Sequence, residues 1–345
     1  MHRQNSLLGQ RPWKSKRSVA RGIFISLLVA ACFLMVAGAP AQSQTSRPLQ
    51  QALPSSSGDS DYKIAVQVDL VVLHATVTDH KGHLVSNLDQ NNFKVFEDNI
   101  EQKLSVFRHE DIPVTMGLVI DNSGSMREKR DRVTAAALTF VKTSNPQDEV
   151  FVVNFNDDYY LDLDKDFTSD LGELKDALEK IDSRGSTAFF DAAIGSLEHL
   201  RKGHRDKKVL LAITDGADNA SRYSLEKTLQ FAQQSDAVIY AIGLFGEETS
   251  RQRNRARKAL LQLTQATGGL AYFPDSVEQV ESICRQVAHD IRNQYTLAYY
   301  PSNAKKDGSF RTVNVVTVSP KGVGKLFVRT RTGYFAQRGQ SAGGM

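Results

Sequence analysis

The sequence predicts an α/β fold: a doubly wound, mostly parallel sheet with a flanking β-sandwich-like module built from N- and C-terminal strands. Three observations carry that expectation. Between residues 113 and 293, short apolar runs alternate with amphipathic helical patterns, as expected of strands buried on both faces and joined by helices. On either side, in 62–112 and 294–336, the texture is that of strands without helices. Each flank is too thin to bury two faces alone, and the ends of an inserted α/β body usually lie close together, so the flanks are expected to complete one module.

The first 41 residues read as an export signal. A basic run from Arg11 to Arg21 precedes the uncharged, apolar stretch Gly22 to Gly38, and Ala39-Pro40-Ala41 offers small residues for cleavage before Gln42. Two alternatives stay open. The apolar stretch of 17 residues is near the lower limit for spanning a bilayer, which allows an uncleaved anchor. Val29-Ala30-Ala31-Cys32 also resembles a lipobox, which would lipidate Cys32. Membrane contact is expected only in these two cases. Residues 42–61, rich in Ser, Gln and Pro, form a disordered linker.

In the first β segment Val66, Val68 and Leu70 alternate with polar residues. The phase then slips so that Val71, Leu73, Ala75 and Val77 share a face, which suggests a bulge or a change of sheet. Phe93 and Val95, the turn Glu97-Asp98-Asn99, then Leu104 and Phe107 predict a hairpin. The strands of the α/β body are Val114–Ile120, Val150–Phe155, Val209–Ile213 and Val238–Gly243. Helical faces are Val133, Ala137, Phe140 and Val141, then Leu171, Leu174, Leu178 and Ile181. Tyr295–Tyr300, Phe310–Ser319 and Lys325–Arg331 close the chain as strands, before a tail at 337–345.

Composition excludes some functions. Of 345 residues 41% are apolar and 24% charged, which is compatible with a packed core. The formal charge of +4 misleads, because six of the 43 Lys and Arg lie in residues 1–41, which hold no Asp or Glu. The remaining 37 face 39 acidic residues, so no basic nucleic-acid surface is expected. After cleavage Cys284 is the one remaining cysteine, which rules out an intrachain disulfide and reads as a buried apolar side chain.

Ligands of open parallel sheets bind beyond the C-terminal strand ends. Here the first body strand runs into Asp121-Asn122-Ser123-Gly124-Ser125, and the Lys207–Ile213 strand into Thr214-Asp215-Gly216. Between them Ser183-Arg184-Gly185-Ser186-Thr187 opens a helix. Carboxylates and hydroxyls without cysteine or histidine suit Mg²⁺, Mn²⁺ or Ca²⁺ rather than zinc or copper. Taken singly, each loop favours the reading of an ordinary turn or helix cap.

Asp121-x-Ser123-x-Ser125, followed by Thr187 and Asp215, resembles the metal-ion-dependent adhesion site (MIDAS) of the von Willebrand factor A (VWFA) domain. The resemblance covers about residues 113–293. The flanking Phe93–Asp98 and Gly333-Tyr334-Phe335 further resemble the secreted bacterial VWFA-related proteins of the acidobacterial type. It implies that Ser123 and Ser125 hold a divalent cation, Mg²⁺ first, through their hydroxyls. Thr187 would join them directly or through water, and Asp121 and Asp215 would balance the charge. Asp191, one helical turn beyond Thr187, is nominated to support these ligands from behind.

Other features read as ordinary. Ser123 has no histidine nearby in sequence and no Gly-x-Ser-x-Gly elbow. His74, His80 and His83 read as strand and turn residues, Arg251 to Arg257 as a solvated helix start, and Arg201–Lys208 as a solvated loop. Tyr295, Tyr299, Tyr300 and Tyr334 read as β-module packing. The expectation is an exported, non-enzymatic adhesion-type protein, periplasmic or extracellular, that captures an Asp or Glu carboxylate of a protein partner. An envelope scaffold with metal-insensitive association is the alternative, and a metal-assisted hydrolase a further one.

Overall fold

The computed structural model describes residues 70–338 except 181, 247, 248, 321 and 323. The readings placed on the leader, Cys32, the linker, Val66, Val68 and Ile181 lie outside the described residues, as does the tail beyond 338.

Four strands come first: β1 (Val71–Thr78), β2 (Phe93–Glu97), β3 (Ile100–Gln102) and β4 (Leu104–Arg108). The α/β body follows as β5 (Val114–Asp121), α1 (Arg130–Lys142), β6 (Glu149–Phe155), β7 (Tyr159–Leu161), α2 (Leu171–Glu179) and α3 (Phe189–Leu200). It continues with β8 (Lys207–Thr214), α4 (Leu225–Gln234), β9 (Ala237–Gly243), α5 (Ser250–Thr267), β10 (Ala271–Tyr272) and α6 (Val280–Arg292). Then come β11 (Tyr295–Tyr299), β12 (Phe310–Thr317), β13 (Phe327–Arg329) and β14 (Gly333–Phe335).

The body's sheet has the order β10-β9-β8-β5-β6-β7 and is parallel except for β7 at its edge. Every residue of β5 is buried, as a two-sided central strand requires. Met116, Leu118 and Ile120 pack with side chains of α1, α2 and α6 on one face. Val119, Phe151 and Val153 pack with those of α3, α4 and α5 on the other. The fold is therefore the doubly wound α/β class that the alternating pattern predicts.

The outer strands form two antiparallel sheets, β13-β1-β11-β4 and β14-β12-β2-β3; strands from before and after the body alternate in the first and meet at the β12–β2 pair in the second. They share one core containing Leu73, Ala75, Val95, Leu297 and Val313. Asp98 and Asn99, with φ of +47° and +67°, make the left-handed turn between β2 and β3. Leu104 and Phe107 do not return along that hairpin. β3 ends at Gln102, and β4 crosses to pair with β11 in the opposite sheet. There Phe107, partly buried, meets the buried Phe93 across the core, ring centroids 5.7 Å apart.

Two further expectations need correction. Leu171 opens α2 and is exposed, so the apolar face begins at Leu174. Lys207 is not part of a solvated loop: it opens β8, is buried, and donates to the Ile291 carbonyl at the end of α6. Burial, with Arg292 nearby, pushes its ammonium down to about 7.

A polar seam joins body and sandwich. Asp290 of α6 accepts from Thr76 Oγ1 at 2.9 Å, from the Tyr240 hydroxyl at 2.8 Å and from Arg329. At the end of α6, Arg292 pairs with Asp148 inside the body and with Asp111 on the connection from β4 to β5. Within the sandwich, buried Glu97 accepts from Arg311 at 3.2 Å, Tyr299 at 2.9 Å and Tyr334 at 2.8 Å.

Candidate metal centre

β5 lies between β6 and β8. The chain leaves β5 toward one side of the sheet and β8 toward the other, so their C-terminal loops diverge and open a crevice. Asp121 closes β5 and Asp215 follows β8, and both are buried.

Asp121 is fixed from two directions. Its Oδ1 accepts the Ser123 N–H at 2.8 Å and its Oδ2 accepts the Thr214 hydroxyl at 2.6 Å, which ties the ends of β5 and β8 together. Burial raises its carboxyl to about 6, with the charge of Asp215 adding, against the hydrogen bonds that hold the ionised form.

The hydroxyls continue from there. Ser123 Oγ lies 3.2 Å from Ser125 Oγ, and Ser125 donates to Asp215 Oδ1 at 2.7 Å. Thr187 reaches the same place from the loop before α3. A Cβ on Gly216, next to Asp215, would sit 3.3 Å from Thr187 Oγ1, so the missing side chain is what gives this hydroxyl room. The Thr187 backbone is held by Asn219, whose Oδ1 accepts the Thr187 N–H at 2.9 Å. Its hydroxyl has no hydrogen-bond partner among the described residues. Ser125 is exposed whereas Asp121, Ser123, Thr187 and Asp215 are buried, so the set opens to solvent at Ser125.

Backbone contacts hold the loops together. Arg184 N–H donates to the Asn122 carbonyl at 2.9 Å and Gly124 N–H to the Gly185 carbonyl at 3.2 Å. Gly185 has φ of +77°, and a Cβ there would fall 2.2 Å from the Asp157 carboxylate, so this position demands glycine. Asn122 anchors the first loop beneath the sheet end by donating to Asn154 at 2.7 Å.

The five residues Asp121, Ser123, Ser125, Thr187 and Asp215 thus meet, but Asp191 does not join them. One of its oxygens accepts the N–H groups of Arg222 and Tyr223, both at 3.0 Å, and the other the Arg222 guanidinium at 3.1 Å. It braces the loop that follows Asp215 and makes no hydrogen bond to the oxygen set. The residue that sequence reasoning missed is Lys129, whose ammonium donates to Asp215 Oδ2 at 2.6 Å and to the Leu244 carbonyl at 3.1 Å. Nothing in its local sequence separates it from a solvated lysine at a helix start.

Among the described residues no three His, Cys, Asp or Glu side chains converge as a metal cluster. A cation here depends on hydroxyls for its coordination, and the unpartnered Thr187 hydroxyl beside Asp215-Gly216 fits that need. An all-oxygen set of this kind suits a hard divalent ion.

Residues 116–217 match the family model described as the von Willebrand factor type A domain. No curated protein matches the sequence. Among solved structures, a von Willebrand factor type A protein from Catenulispora acidiphila is similar at 14% identity and a TM-score of 0.45, over 71% of this chain and 75% of that one. The PilB minor pilin from Streptococcus sanguinis is similar at 12% identity and 0.43, over 54% of this chain. Proximal thread matrix protein 1 from the mussel byssus, with a zinc-occupied MIDAS motif, is similar at 18% identity and 0.45, over 56% of this chain. The chain spans 62% of the pilin's length and 49% of the thread protein's.

Proposed function

We propose that the von Willebrand factor type A domain carried by this chain is a cation-dependent, non-enzymatic protein-binding module of an exported protein. Its partner presents an Asp or Glu carboxylate. The carrying observation is the convergence of three hydroxyls and two carboxylates at the solvent-open ends of β5 and β8. Ser123, Ser125 and Thr187 would hold the ion, Mg²⁺ before Mn²⁺ or Ca²⁺, with Asp121 and Asp215 supplying charge directly or through water. With few protein anions in direct contact, such an ion offers an electrophilic position that a partner's carboxylate can fill.

The chain's own residues keep that position available. Thr214 and the Ser123 N–H fix Asp121, Asn219 holds the Thr187 backbone, and exposed Ser125 forms the mouth. Export is supported by the basic-then-apolar leader. Membership of the secreted bacterial group whose flanks resemble 93–98 and 333–335 belongs to the same proposal.

The test is calorimetric titration of Mg²⁺, Mn²⁺ and Ca²⁺ into the wild type and Asp121→Ala. One saturable site, lost in the variant, is expected. Equal affinity in both proteins overturns the assignment. Partner capture that survives a chelator points instead to the envelope-scaffold reading.

A further inference from the structure

Lys129 is built into the candidate centre. Its N–H donates to the Met126 carbonyl at 3.0 Å and its carbonyl accepts from Val133 at 3.0 Å, so the backbone between Ser125 and α1 is pinned. The ammonium reaches beneath the loop after β9, where a Cβ on Gly246 would lie 3.7 Å from it. It bridges Asp215 Oδ2 and the Leu244 carbonyl, while the other oxygen of Asp215 takes the Ser125 hydroxyl. A single carboxylate therefore separates the lysine from the mouth of the site. Three-quarters of the Lys129 side chain is withdrawn from solvent, and Asp215 wholly so. On the adjoining loops the Arg127 guanidinium donates to the Ser183 carbonyl and that of Arg222 to Asp191.

We propose that Lys129 is a resident counter-charge that makes cation binding and acidic-partner binding depend on each other. It weakens the site for a divalent ion and strengthens the ion-loaded site for a carboxylate. The inference rests on the cation-dependent reading above.

The argument is charge balance in a partly buried place. Ionised Asp121 and Asp215 with Lys129 leave one net negative charge. A divalent ion turns this into one net positive charge, and an incoming carboxylate brings it to neutrality. Without the lysine the ion alone would neutralise the pair, and the partner's carboxylate would arrive as an uncompensated third anion. Charges a few ångströms apart interact by more than thermal energy where the effective dielectric is low, and salt screens such groups poorly.

The test titrates Mn²⁺ into the whole protein as wild type, Lys129→Met and Lys129→Arg, each with and without excess acetate as a carboxylate probe. Thermal melts by circular dichroism accompany each titration. Lys129→Met is expected to bind Mn²⁺ about tenfold more tightly, about 1.4 kcal/mol, and to gain more in melting temperature on Mn²⁺ addition. Acetate should tighten Mn²⁺ binding in the wild type and in Lys129→Arg but not in Lys129→Met. Equal or weaker Mn²⁺ binding by a folded Lys129→Met overturns the inference and leaves the cation-dependent reading standing. Absence of Mn²⁺ binding in the wild type removes that reading and this inference with it. Should Lys129→Met fail to fold, the wild type still decides, because Mn²⁺ affinity indifferent to acetate contradicts the proposed coupling.

Discussion

Beside the sandwich, Asp290 meets Arg329, Thr76 and Tyr240, and Asp148 meets Arg292. At the open ends of β5 and β8 there are two buried carboxylates, of which Asp215 is paired with Lys129 and Asp121 is held by a hydroxyl and a backbone N–H. The seam matches its buried acids with arginine and hydroxyl donors, and so holds two parts of the molecule together. The open end keeps an excess of negative charge, held in place by hydroxyls that are themselves potential ligands. Breaking a matched buried pair strands the surviving charge at a cost; buried charge left in excess already bears a cost that an incoming cation removes.

The sharpest way to break this comparison is the same substitution in both places. Asp290→Asn should lose about 3 kcal/mol of stability to urea, because it strands Arg329 without a counter-charge. Asp121→Asn, measured in chelator, should lose nothing and gain up to about 1 kcal/mol, because a buried anion near a second anion disappears. Equal losses would mean that the open end is as well compensated as the seam.

Acidification gives a smaller effect with opposite signs in the two regions. Burial, with Lys207 and Arg331 nearby, lowers the His74 ring from 6.5 to about 3. The unfolded chain therefore takes up the proton first, and this contribution is full above 6.5 and lost as pH falls toward 3. Between pH 7 and pH 5 the loss is about 2 kcal/mol, and His74→Gln should flatten the slope by that amount in urea titrations. Asp121, raised to about 6, acts the other way: its contribution is present below 3.8 and is lost as pH rises through 6. The smallest effect is expected of Gly216→Ala. Its methyl would press on Thr187 Oγ1 at 3.3 Å, lowering Mn²⁺ affinity a few-fold while unfolding shifts by less than about 1 kcal/mol.

The α/β alternation was legible because β5, β6, β8 and β9 are buried on both faces and read as continuous apolar runs. The oxygen set was legible because Asp121, Ser123, Ser125 and Asp215 lie directly after such strands. Edge strands β7 and β10, of three and two residues, are too short to carry a period. The crossing of β4 was hidden because alternation reports which residues are buried and not which sheet they join. Lys129 and Lys207 were hidden for one reason. Their partners, Asp215 and the Ile291 carbonyl, lie 86 and 84 residues away, and local sequence cannot show that a lysine's water has been replaced. Asp191 failed the other way: its helical phase was compatible with support for Thr187, yet the loop at 222–223 claims both its oxygens.

The body enters after β4 and leaves into β11, and these are hydrogen-bonded neighbours that pair Arg108 with Thr296. A tug at the Ser125 mouth thus reaches the sandwich through two adjacent strands at once and does not peel one from the other. The load passes from β11 to β1 along a register running from Ala75–Tyr295 to Val71–Tyr299. Those bonds are strained side by side, in shear, and must give way together. The same wiring that lets the chain interrupt a sheet with a whole domain also makes that domain's mounting resistant to pulling.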